Sequence, residues 1–88
     1  MRPYFYRDSN GNEVDLVLSH GPKWIPIEIN SAATVRPALL NGIPRFMRVV
    51  PDAVEPRLVY DGDFERTQHG VRIVNWRGLQ SELAHLRT

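Results

Sequence analysis

Asp15 and Glu28 are the residues through which this chain could do chemistry. They lie in two runs of alternating polarity, Glu13-Val14-Asp15-Leu16-Val17-Leu18 and Trp24-Ile25-Pro26-Ile27-Glu28-Ile29-Asn30, joined by Ser19-His20-Gly21-Pro22-Lys23. Gly-Pro between alternating runs is a hairpin signal. With Ser19 opposite Trp24, Asp15 falls opposite Glu28, and a strand's period of two puts both on one face with Asn30 close by. Two carboxylates facing each other across a ladder repel unless a proton or a cation sits between them. A magnesium ion suits such a pair, because it takes one or two carboxylates plus waters and a substrate phosphate. The Ile29 carbonyl would be a further oxygen ligand, and the ion would activate water against a phosphodiester. Asn30 would orient a water or a phosphate oxygen. The plain alternative is a solvated polar face, with Asn30 simply ending a strand.

The elements around these residues follow from patterning. Val14, Leu16 and Leu18 are expected on the opposite face, with Ile25, Ile27 and Ile29. Pro3-Tyr4-Phe5-Tyr6-Arg7 reads as a first strand, turned into the second by Asn10-Gly11. That turn places Tyr4 opposite Val17, Tyr6 opposite Asp15 and Glu13 opposite Asp8. Thr34 is a plausible N-cap, and Val35, Leu39, Leu40, Ile43, Phe46, Met47 and Val50 recur at helical spacing. Gly42 and Pro44 predict a break near 41–43 and a second helical piece from Pro44 to about Val49, ended by Pro51-Asp52. Arg57-Leu58-Val59-Tyr60 is a short strand, parallel to the third if the helix is a crossover. Residues 61–70 read as a loop, 71–76 as a strand, and Leu79, Leu83 and Leu86 as a terminal helix. The expected fold class is α/β, in the order β-β-β-α-β-β-α.

The bulk numbers exclude several classes. A chain of 88 residues is one domain. Its 11 basic and 10 acidic residues give a net charge of +1, without the basic excess of a typical nucleic-acid binder. A local patch remains open, with Arg36, Arg45, Arg48 and Arg57 as its members. Arg45 and Arg48 are three apart and can share a helix face toward phosphates. There is no cysteine, hence no disulfide, thiolate nucleophile or cysteine-bound zinc. His20, His69 and His85 lack metal-ligand spacing, and no serine sits in a Gly-x-Ser-x-Gly elbow. No apolar run approaches a membrane span and the N-terminus has no signal-peptide pattern, so a cytoplasmic location is expected. Trp24 and Trp76 are expected in or at the edge of the core.

Tyr6-Arg7, the Asn-Gly turn, Glu13-Val14-Asp15, Pro26-Ile27-Glu28-Ile29-Asn30-Ser31 and Val71-Arg72-Ile73-Val74-Asn75-Trp76 occur together in that order. In this combination the chain resembles the C-terminal domain of unknown function found on many prokaryotic AAA-type ATPases, from about Tyr4 to Leu83. Through that family it is similar to the PD-(D/E)XK, restriction-endonuclease-like superfamily. The resemblance implies a restriction-endonuclease-like mixed sheet over residues 1–88, a magnesium site at Asp15 and Glu28, and DNA as substrate or ligand. The family ends its third strand in Glu-x-Lys, whereas this chain has Asn30 at the lysine position. Arg36, at the start of the following helix, could reach in and replace that lysine. The superfamily's acid-bearing helix before the first strand is not in the sequence, nor is a Gly-x-x-x-x-Gly-Lys phosphate loop. The expectation is a C-terminal piece of a larger ATPase, or a remnant reading frame, with the ATPase module on the same or a neighbouring chain. The degenerate lysine position implies a nucleic-acid- or protein-binding module, with an active endonuclease as the alternative. A sheet face left uncovered without that helix would favour a homo-oligomer.

Overall fold

Alternating apolar residues build three antiparallel strands, β1 (Arg2–Arg7), β2 (Glu13–His20) and β3 (Lys23–Ile29). The computed structural model of the chain describes residues 2–35 and 42–86. After β3 the chain passes through α1 (Gly42–Val49) into β4 (Arg57–Tyr60), then β5 (Arg66–Gln68) and β6 (Val71–Asn75). A 3₁₀ turn, Trp76–Gly78, leads into α2 (Leu79–Leu86). The strands form one sheet in the order β1-β2-β3-β4-β6-β5, with β3, β4 and β6 parallel to one another.

Each face carries a helix. On the α1 face, Ile43, Phe46 and Met47 pack on Val14, Val17, Leu58, Tyr60, Val71 and Ile73. On the α2 face, Leu79 and Leu83 pack on Leu18, Ile25, Ile27, Val59 and Val74. β4 is covered on both sides and all four of its residues are buried, the mark of a parallel strand inside an α/β layer. The architecture is a mixed α/β sheet, mostly strand.

The β2–β3 hairpin has the expected register, with Ser19 opposite Trp24 and Leu16 opposite Ile27. The β1–β2 register departs from the expected one beyond Tyr4. Tyr4 faces Val17, but Tyr6 faces Val14 and Arg7 faces Glu13, so β2 holds one extra residue in a bulge. The cause is the turn. Asp8 Oδ1 accepts the N–H groups of Asn10 and Asn12, and the Gly11 N–H closes back on the Asp8 carbonyl. Ser9 and Asn10 are therefore the turn's centre, and Gly11 follows at φ +81° in the left-handed region that suits glycine. The bulge moves Val14 to the α1 face, away from Leu16 and Leu18. Ile29, also expected on the apolar face, is 54% exposed at the strand's end.

Two further corrections concern the second half. Residues 66–68, read as loop, form β5, paired with β6 through a two-residue turn in which His69 and Gly70 both have positive φ. Their side chains are polar, so the apolar alternation that marks a strand is absent. The described helix α1 includes Gly42 and Ile43, so helical structure is present before Pro44. The helical reading of Leu39 and Leu40, and Arg36 with it, lies outside the described residues.

Candidate functional site

The outer end of the β2–β3 hairpin brings Asp15 and Glu28 together. The Asp15 N–H donates to Glu28 Oε1 at 3.3 Å, and the Ile29 N–H donates to Asp15 Oδ2 at 2.9 Å. Each carboxylate thus takes a backbone donor of the opposite strand, where ordinary ladder bonds would continue. The start of α1 closes over Glu28: a Cβ built on Gly42 would lie 3.2 Å from Glu28 Oε2 and 3.2 Å from the Glu13 carbonyl. Burial and the adjacent Asp15 carboxylate push the Glu28 carboxyl from 4.5 up to about 8, with the charge of Glu13 adding to the effect. At neutral pH the pair therefore holds a proton, or exchanges it for a cation.

The donor set fits a hard divalent ion that keeps most of its water. Ile29 points its N–H toward Asp15 while Asn30 turns its N–H to the Val59 carbonyl at 2.8 Å. N–H and C=O of one strand residue point the same way, so the Ile29 carbonyl also faces the pair. Two carboxylates and a carbonyl match what magnesium takes from protein. Among the described residues no group of three or more His, Cys, Asp or Glu side chains stands together as a metal cage.

Asn30 is beside this pair in sequence but is engaged elsewhere. Its Nδ2 donates to the Thr34 carbonyl at 2.9 Å and its Oδ1 accepts the Ala32 N–H at 3.2 Å, so the side chain caps its own loop. Glu13 pairs with Arg7 at 2.8 Å on the surface, opposite it in the ladder rather than opposite Asp8. Arg45 and Arg48 are exposed on α1, and Arg45 donates to Asn12 Oδ1 at 3.2 Å. Arg57 does not belong to the basic patch. It is 6% exposed on the α2 face, 3.5 Å from Glu82 of α2, with its guanidinium donating to the Glu55 carbonyl.

A second polar cluster, which sequence reasoning missed, lies at the carboxyl ends of β4 and β6. Asn75 is buried; its Nδ2 donates to the Gly62 carbonyl and its Oδ1 accepts the Arg77 N–H, each at 2.8 Å. Trp76, expected in the core, is 56% exposed, and its Nε1 donates to Asp61 Oδ1 at 2.9 Å. The available signal was positional: Asp61 and Trp76 directly follow two parallel strands and Asn75 ends one, where α/β sheets place their ligand-binding residues.

The protein is thus a small mixed α/β domain with a paired-carboxylate edge. A family model described as Domain of unknown function (DUF4143) matches residues 1–79, and the chain belongs to that family. No curated protein and no solved structure matches the chain. Among the described residues no helix is long and apolar enough to cross a membrane.

Proposed function

We propose that this domain is a restriction-endonuclease-like module that keeps a cation-binding edge, has lost hydrolysis, and serves as a nucleic-acid-binding appendage of an AAA-type ATPase. The ATPase would be carried on the same or a neighbouring chain. The carrying observation is the engagement of Asn30. The residue at the family's lysine position carries no charge, and both ends of its amide are spent on the loop it caps. Asp15 and Glu28 would hold magnesium, whose contribution when bound is to polarise a phosphodiester and acidify water. The exposed guanidinium groups of Arg45 and Arg48 would rest on phosphates. Nothing on the third strand would then compensate charge developing on the phosphorus, and loss of one such donor slows a reaction by on the order of 100- to 1,000-fold.

Plasmid nicking in magnesium and in manganese tests this, on the native chain, Asn30→Lys and Asp15→Ala. The expected outcome is no nicking by the native chain or Asp15→Ala, and slow nicking by Asn30→Lys. Robust cleavage by the native chain that disappears in Asp15→Ala would establish the active endonuclease instead.

A further inference from the structure

The parallel strands β3, β4 and β6 send their chains away in different directions. The chain leaves β3 for α1 on one face and β6 for α2 on the other. Open α/β sheets bind ligands outside the carboxyl ends of their parallel strands. A crevice of about 410 Å³ lies at that point, lined by Ile29, Asn30, Ser31, Val59, Asp61 and Trp76. The lining comes from β3, β4 and the segments that follow β3, β4 and β6, and the volume falls in the range of small-ligand sites.

The walls are fixed by hydrogen bonds that bypass the crevice. The Asp61 N–H donates to the Ala32 carbonyl at 3.0 Å, joining the loops after β3 and β4. These loops pack so closely at Gly62 that a Cβ there would lie 2.7 Å from the Ala33 carbonyl and 2.3 Å from the Tyr60 ring. Asn75 ties the same loop to the end of β6, immediately before Trp76. The indole is anchored at Nε1 by Asp61, and the Arg77 guanidinium lies over it, 5.3 Å from the ring centroid. Arg77 also pairs with Asp63 at 3.3 Å.

This chemistry selects a ligand. The anchored, half-exposed indole is a platform for a flat ring. Asp61 Oδ2 has no hydrogen-bond partner among the described residues and is open to an N–H donor. Arg77, which lies over the indole, pairs with Asp63, which disfavours a phosphate on the platform. A planar uncharged ring carrying an N–H donor meets all three conditions. We propose that this crevice takes an unpaired nucleobase, stacked on Trp76 and donating an N–H to Asp61, from a single-stranded nucleic acid. The proposal rests on the nucleic-acid-binding reading above and adds to it a specific subsite and strand type.

The test is fluorescence anisotropy with labelled oligo-dA and an abasic oligodeoxynucleotide of the same length, on the native chain, Trp76→Ala and Trp76→Phe, each checked for folding by circular dichroism. The expected result is binding of oligo-dA roughly tenfold tighter than of the abasic strand, a difference lost in Trp76→Ala and largely kept in Trp76→Phe, as one stacked base would give. Equal affinity of the native chain and Trp76→Ala for oligo-dA would overturn the subsite and leave the nucleic-acid reading standing. Failure of the native chain to bind either oligonucleotide would overturn both.

Discussion

Two polar clusters sit on one sheet, and their hydrogen-bond accounts differ. At the β2–β3 edge, two acceptors face each other: Asp15 and Glu28 each take one backbone N–H, and a surplus of negative charge remains. At the carboxyl ends of β4 and β6, donors and acceptors alternate. Asn75 gives to Gly62 and takes from Arg77, its own N–H goes to Glu65, and Trp76 gives to Asp61. Asn75, whose partners are complete, behaves as architecture, because changing it leaves buried groups unpaired. A cluster with one charge too many invites a proton or a cation. The same contrast explains why Glu28 is shifted so far upward while Asn75 can be buried.

The largest effect is expected at the buried Asn75 amide. Asn75→Ala strands the Gly62 carbonyl and the Arg77 N–H, which costs about 2–4 kcal/mol. Urea unfolding measures it, and a loss below about 1 kcal/mol would remove the contrast between the two clusters. The middle effect is at the carboxylate edge. The folded chain holds the Glu28 proton more tightly than the unfolded chain does, so this group favours folding most below 4.5 and progressively less as pH rises to about 8. The native chain should lose on the order of 1 kcal/mol between pH 5 and 8 through this partly solvated group. Glu28→Gln should flatten that slope, and magnesium should restore stability to the native chain at pH 8 but not at pH 5. Unfolding at both pH values, with and without the ion, reads all of this. The smallest effect is at Arg7. Its ion pair with Glu13 is short but exposed, and Arg7→Ala should cost less than about 0.5 kcal/mol.

How much of this was legible depended on whether hydrophobic alternation carried it. The β2–β3 register was readable because six apolar residues alternate across a short turn, and the Asp15–Glu28 juxtaposition follows from it. The bulge was not readable, because Ser9 and Asn10, held by the Asp8 side chain, centre the preceding turn in place of the Asn-Gly pair. β5 has no apolar side chain to announce it and exists because β6 offers it an edge. Arg57 reads as a surface cation in sequence, yet its strand is covered on both faces and Glu82 reaches it from α2. Trp76 reads as core because tryptophan is mostly apolar, but it falls one residue past the end of β6. Asn30 was legible as a missing charge, and its role in capping the loop came only from the geometry.

The central claim is that Asp15 and Glu28 share a site that needs a proton or a cation. The most direct measurement is a pH titration of the Glu28 side-chain carboxyl by carbon-13 NMR, on the native chain and on Asp15→Asn, with and without magnesium. The account predicts a midpoint near 8 for the native chain, a lower one in Asp15→Asn, and a lower one again for the native chain with magnesium. A midpoint near 4.5 in the native chain, unmoved by magnesium or by Asp15→Asn, would contradict it.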